Sequence, residues 1–361
     1  MTSRESNDMK ICTPYLVMRN RRIARYRAAS KLRKQGKRRG PQISGYVRPG
    51  EEIIAPVIIN LARPQGGQLV KFLRAVAKTV LVMKTQTRLN FRETESLHVA
   101  GAILLFAELD RIIKLSDLQK PITIIEPRQR RPREVLKQIE IFQLTGDKSD
   151  VVPEREDVVF WKTTKGSTQT GDVLGSILEC VAERANRDNI KQIELSGIWR
   201  GVSEAVDNTV DHAYDKPRSD GFAGLEDTKW WMFTQIRNHS FTAAVCDLGC
   251  GYRATVNLTI PEVFRAKWAQ ILTGKNQDVV AVQTAMEYGR SGTHETHRGK
   301  GSRDALSVLK KHGTGTLHVL SNTGWVKYEY ANGIEVRTES DGIGIDIRGT
   351  IIWWTLPLKE E

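Results

Sequence analysis

Within residues 201–214, GVSEAVDNTVDHAY, a carboxylate, an amide and a second carboxylate recur as Glu204, Asn208 and Asp211. At that spacing the three share one face of a helix. A carboxylate can take a proton from water, and an amide oxygen is a hard ligand suited to magnesium. Val202, Ala205, Val206, Thr209, Val210 and Ala213 would bury the opposite side of the same helix. The polar residues also suit the solvated face of an amphipathic helix, so this stretch alone does not decide between a site and a surface.

Two later segments carry complementary chemistry. AVCDLGCGYR ends an apolar strand with Asp247, Gly249 and Gly251. Glycines there let the backbone turn sharply and approach a flat ligand closely. A carboxylate at the strand end can accept a hydrogen bond from an exocyclic amine, although a plain glycine turn has the same composition. Residues 287–313, EYGRSGTHETHRGKGSRDALSVLKKHG, form a polar loop ending in RGKGS directly before a helix. Exposed amides at that helix start, with Arg298, Lys300 and Arg303 beside them, would cradle phosphates, the alternative being an ordinary surface loop.

The order of these pieces, closed by GTIIWWTLPL (349–358), resembles the GHKL superfamily of ATP-binding domains: DNA gyrase B, heat-shock chaperones, MutL and histidine kinases. The resemblance covers about 170–358. EAVDNTVD (204–211) matches the family's Glu-x-x-Asp-Asn-x-x-Asp N-box helix, and Asp247, Gly249 and Gly251 correspond to its Asp-x-Gly-x-Gly box. Gly299 and Gly301 resemble the second glycine box, which is short here, with 289–298 as the lid. Thr350 resembles the threonine of the last strand. The resemblance implies ATP and Mg²⁺ as cofactors. It makes Glu204 the general base, Asn208 the metal ligand with Asp211 beside it, and Asp247 the partner of the adenine amine. Gly249, Gly251 and Thr350 would complete the base pocket, and Gly299, Lys300, Gly301 and Ser302 would hold phosphates. Histidine kinases often lack the acid at the Glu204 position, so its presence leans toward ATP hydrolysis or toward the anti-sigma-factor kinases.

Other chemistry-bearing residues read as structural. His294 and His297 flank Glu295 in the Gly/Thr loop, where lid surface is a better expectation than zinc. Cys246 and Cys250 bracket the glycine box without a second pair, which favours core and loop roles over a metal site. Trp230, Trp231, Trp353 and Trp354 fall in expected strands and suit sheet packing.

The elements that must hold these residues follow from periodicity. Helices are expected at 172–187 and from near Ile198, then a hairpin of WWMFTQIR (230–237) and FTAAVCDL (241–248) joined by NHS. GTLHVLS (315–321), WVKYEYA (325–331) and the closing strand complete a mostly antiparallel sheet in an α+β sandwich, which the GHKL resemblance implies is of Bergerat type. Upstream, strands (53–61, 87–91, 122–126) alternate with helices (66–86, 97–114, 132–144), which predicts an α/β layer with crossover connections. Its LNFRETESLHVAGAILLFAEL (89–109) resembles STAS domains, the fold of anti-anti-sigma factors. Ala100 stands where that family's phosphorylatable serine precedes the glycine, so 51–147 is expected to dock or dimerise. KSDVVPERED starts a linker assigned to 148–169.

The 361 residues suit two or three domains. Residues 1–50 hold fourteen Lys and Arg against Glu5 and Asp8, a net +12 of the chain's +13, so 51–361 is near neutral. This arm carries Arg21, Arg22, Arg25, Arg27, Lys31, Arg33, Lys34, Lys37, Arg38 and Arg39. It reads as a short basic helix and tail for nucleic acid, for an acidic protein or for a second copy of the chain. No run approaches a membrane span, no secretory signal is legible, and four scattered cysteines suit a reducing cytoplasm. The expectation is a slow Mg·ATP-dependent ATPase whose lid regulates contacts with a partner, nucleic acid or a homodimer mate. The alternatives are an anti-sigma-factor-type protein kinase and a non-catalytic ATP-sensing nucleic-acid-binding regulator.

Overall fold

A computed structural model describes residues 50–62, 64–159, 161–168, 195–222, 225, 227–290 and 301–358. The basic arm, the expected helix at 172–187, and His294, Glu295 and His297 of the expected lid lie outside them.

The first part is a small parallel layer. β1 (Glu51–Ile54), β3 (Thr87–Asn90) and β5 (Ile122–Ile125) lie in the order β1-β3-β5, with Ile53 level with Leu89 and Leu89 with Ile124. Parallel neighbours require crossovers, which α1 (Gln65–Ala77) with a following π-turn (Lys78–Val82) and α2 (Val99–Leu115) supply. A two-residue parallel pair, β2 (Ile58–Ile59) with β4 (Ser96–Leu97), forms a separate small sheet. The α2 sequence is apolar on almost every side, and Ala100–Ile112 is buried without a break. Gly101 is required at its start, because a Cβ there would come within 2.5 Å of the Ile59 carbonyl oxygen. α3 (Arg130–Gln138) and α4 (Ile141–Thr145) follow.

The stretch expected as a linker is structured. α5 (Glu156–Val159) leads into β6 (Lys162–Gly166), which is the edge strand of the main sheet. That sheet also contains β7 (Trp230–Arg237), β8 (Ser240–Asp247), β9 (Gly315–Ser321), β10 (Gly324–Ala331), β11 (Ile334–Gly342) and β12 (Thr350–Pro357). Its order is β11-β10-β9-β12-β8-β7-β6 and every neighbouring pair is antiparallel. The fold is therefore α+β with a large antiparallel sheet. The β7–β8 hairpin turns through Asn238 and His239, both at positive φ (49° and 53°), the geometry that matches the twist of the two strands.

Strand alternation sends side chains to two different cores. Trp231, Phe233, Ala244, Cys246, Leu320 and Ile351 face the parallel layer and pack with α2. Trp230, Met232, Val245, Leu317, Val319 and Trp354 face the other way, toward α6 (Leu195–Asn208), α9 (Gln277–Arg290) and α10 (Gly301–His312). The adjacent tryptophan pairs split between the cores, as packing residues should. Their buried indole N–H groups are satisfied: Trp230 by the Thr168 carbonyl (3.0 Å), Trp231 by Asp110 (2.9 Å) and Trp354 by the Ala305 carbonyl (2.8 Å). Residues 49–361 thus form one compact unit in which the sheet is covered on both faces. No helix among the described residues is long and apolar enough to cross a membrane.

Candidate functional site: the cleft between the acidic helix and the aspartate–glycine turn

The acidic peptide is the end of α6, and it does not finish as a regular helix. Residues Thr209–Ala213 widen into a π-turn, the kind of local irregularity that recurs at functional sites. Val202 and Val206 are buried against the sheet, while Glu204, Asp207 and Asn208 are half-buried and Asp211 is exposed. Burial, and then the neighbouring Asp211, push the Asp207 carboxyl above its ordinary value. Asp207 Oδ1 is buried and has no hydrogen-bond partner among the described residues.

The turn after β8 is clamped to this helix end. The Cys250 N–H donates to the Ala213 carbonyl at 2.7 Å, and a Cβ on Gly249 would lie 2.1 Å from that same oxygen. Gly251 sits at φ +76°, where a side chain is strained, and a Cβ would collide with the Asn322 amide. Two of the three motif positions are therefore glycine for identifiable steric reasons. Asn322 closes the turn from the other side. Its Nδ2 donates to the Cys250 carbonyl (3.2 Å), and its Oδ1 accepts the Gly349 N–H (3.2 Å).

Asp247 is buried at the end of β8, on the helix-bearing face of the sheet. Register puts Thr350 opposite Asp247 on one side and opposite Ser321 on the other, so three neighbouring strands contribute one polar row. The Gly249 N–H donates to Asp247 Oδ1 at 2.9 Å, and Thr350 binds the carboxylate through both its N–H and its hydroxyl. Ser321 Oγ and Thr350 Oγ1 are 3.2 Å apart, and Ser321 Oγ accepts the Tyr252 N–H at 2.9 Å. Burial raises the Asp247 carboxyl to about 6 despite these bonds. Tyr252, which opens α7 (Tyr252–Thr259), has its phenol pushed up by burial, then by Asp247 and Glu204.

Of the sequence-derived candidates, Glu204, Asn208 and Asp211 lie on α6 and its π-turn, Asp247, Gly249 and Gly251 on the end of β8 and its turn, and Thr350 opposite Asp247 on β12, with the helix end and the turn joined through Ala213 and Cys250. Gly301 and Ser302 open α10, as expected for the start of a helix. Gly299 and Lys300 lie outside the described residues. Ser321, Asn322, Tyr214 and Tyr252 also belong to the cleft, and no sequence motif singled them out. The Tyr214 hydroxyl accepts the Leu248 N–H (3.2 Å) and donates to the Lys229 carbonyl, which pins the π-turn to the strand end. The LSN end of β9 was a detectable signal only once its register against Thr350 was known. Cys246 and Cys250 are both free thiols, and no group of three or more His, Cys, Asp or Glu side chains among the described residues could hold a metal ion. No protein-family model matches the chain, and no curated protein matches it in sequence.

Proposed function

We propose that the chain binds Mg·ATP in the cleft between α6 and the Asp247 turn, in the manner of GHKL domains, and hydrolyses it slowly. The observation that carries this reading is Asp247. It is a buried strand-end carboxylate, braced by Thr350 and Gly249, on a turn whose glycines permit close approach to the helix that bears Glu204 and Asn208. An ionised carboxylate has about four lone-pair sites, so one remains to accept the adenine amine after these three bonds.

In this reading Asp247 selects the base, and Gly249 lets the turn that carries it close on the end of α6. The amides around Gly299–Ser302, with Lys300, hold phosphates at the start of α10. Glu204 takes the proton of the attacking water, which orients its oxygen lone pair on the γ-phosphorus as the bridging P–O bond breaks. Asn208, with the acid-rich end of α6 beside it, suits a hard cation. Bound Mg²⁺ would supply charge neutralisation on the phosphates. The parallel layer at 51–147 acts as a STAS-like docking module, and the basic arm recruits nucleic acid or an acidic partner. A lid at 289–298 regulates those contacts in a cytoplasmic protein.

Titration calorimetry with a non-hydrolysable ATP analogue and magnesium tests the site. Asp247→Asn is expected to weaken binding at least tenfold, and Glu204→Ala to keep binding while abolishing phosphate release from ATP, measured separately. Equal affinity in Asp247→Asn removes the adenine contact, and unchanged turnover in Glu204→Ala removes the base. Radiolabelled ATP distinguishes the kinase alternative: label transferred to a protein, rather than released as free phosphate, replaces hydrolysis with phosphoryl transfer.

A further inference from the structure

A charge imbalance lies in a different part of the fold, where Arg237 ends β7, Arg131 lies in the first turn of α3 and Asp157 lies in α5. Arg131 Nε donates to Asp157 Oδ2 at 2.7 Å and Arg155 Nε donates to Oδ1 at 3.3 Å. Arg237 Nε approaches the same Oδ2, at 3.9 Å. The Trp161 indole donates to the Asp157 carbonyl at 2.8 Å and fixes that residue's backbone. The nearby acids are engaged elsewhere: Glu134 and Glu154 both bind Arg130, and Glu134 also accepts the Arg155 backbone N–H at 3.4 Å. Among the described residues Asp157 is the one carboxylate that pairs with these three arginines.

One negative charge facing three guanidiniums is not a balanced structural ion pair. All three contacts use Nε, so the planar forks of terminal nitrogens, which match oxyanion geometry, stand beyond the carboxylate. The Arg155 and Arg237 side chains are 52% and 36% exposed, which leaves them accessible to a ligand. Arg131 Nη2 is buried with no hydrogen-bond partner. The repulsion is felt by neighbours. Burial, then Arg131, lower the Arg237 guanidinium, and burial, then Arg237 and Arg131, lower the exposed His98 imidazole at the start of α2. An anion beside the three guanidiniums would offset the repulsion between them.

We propose that Arg131, Arg155 and Arg237, splayed around Asp157, form a binding site for a phosphate-class oxyanion. Asp157 is the scaffold that orients the Nε edges, and the terminal nitrogens of Arg155 and Arg237, the two more exposed arginines, supply the donors. The site is separate from the proposed nucleotide cleft and does not depend on it.

The test is titration of the full chain with inorganic phosphate against chloride of equal ionic strength, read by calorimetry and by thermal shift. Wild type is expected to bind phosphate saturably. Arg237→Gln should weaken that binding at least tenfold, and Asp247→Asn should leave it unchanged. If Arg237→Gln does not fold, Arg155→Gln, at the most exposed of the three, carries the same expectation. A second arm uses single-stranded oligodeoxythymidylate. Competition with phosphate that disappears in Arg237→Gln assigns the phosphate to a nucleic-acid backbone, whereas phosphate binding without competition assigns it to a small ligand. Binding no stronger than that of chloride, or equal phosphate affinity in wild type and the arginine variants, overturns the site.

Discussion

The two faces of the seven-stranded sheet are covered by different chemistry. The face toward α6, α9 and α10 is closed mainly by aliphatic and aromatic side chains, and at one end it carries the Asp247–Thr350–Ser321 polar row. The face toward the parallel layer has an apolar core as well, but a buried ionic network crosses it. Glu108 of α2 pairs with Arg218, and Arg111 of α2 holds Asp220 through two bonds of 3.0 and 3.2 Å. Asp110 accepts from Lys165 of β6 (2.8 Å) and from the Trp231 indole (2.9 Å). Apolar packing alone is non-directional and fixes neither the register nor the azimuth of a helix. Three charged positions within one turn of α2 (Glu108, Asp110 and Arg111), each with a partner outside the parallel layer, fix both. One face thus derives stability from area, and the other adds specificity to it.

Breaking the network on one side only gives the largest effect. Arg218 is buried, and removing it leaves the buried Glu108 with only Arg111, at 3.6 Å, so Arg218→Ala is expected to cost about 3 kcal/mol in urea unfolding. Replacing both partners by apolar residues of similar volume, Arg218→Met with Glu108→Leu, should recover most of that loss. Equal destabilisation of the single and double variants would mean that Arg218 acts by packing and not by charge, and the contrast between the faces would lose its basis.

How much of this was legible in the sequence also differs between regions. The β7–β8 hairpin and α2 were readable, because alternation, an Asn-His turn and an unbroken apolar helix each obey a local rule. β6, KTTKG, was not, since every residue in it is half-buried and no side presents an apolar face. β11 escaped for the same reason: it is an edge strand with a mostly exposed, charged sequence. The cleft residues on the helix and turn could be named from spacing. Ser321 and Tyr252 could not, because register and a reversal of the chain bring them to Asp247. The ionic network was equally hidden, as Glu108 and Arg218 are far apart in the sequence and neither lies in a motif.

The helix-bearing face has its own buried charge, and pH exposes it. The Asp247 carboxyl is raised by burial to about 6, above its unfolded value of about 4. Between those values the native state holds a proton that the unfolded state has lost. Stability therefore falls as pH rises through that window, by up to about 3 kcal/mol from this group, and Asp247→Asn should remove that slope. Nucleotide affinity is expected to run the other way. The ionised carboxylate is the better acceptor for the adenine amine, so affinity should drop by up to about tenfold per unit below pH 6. Affinity that stays constant from pH 5 to 7 would detach Asp247 from the base while leaving the stability slope intact.

The smallest effect tests whether the logic of paired removal extends from charges to neutral groups. Thr242 and Thr355 stand opposite each other on β8 and β12, on the face toward the parallel layer, with their hydroxyls 3.3 Å apart. Thr242 is buried, so its hydroxyl depends on this neighbour. Thr355→Val keeps the β-branched shape that suits the strand and removes one hydroxyl, which should cost about 0.5–1 kcal/mol. Replacing both threonines by valine removes the orphaned group as well, and stability should return to within about 0.5 kcal/mol of wild type. Additive losses in the double variant would show that the hydroxyls are worth keeping for their own bond. The cost of leaving a buried partner unpaired would then operate on this face only where charges are involved.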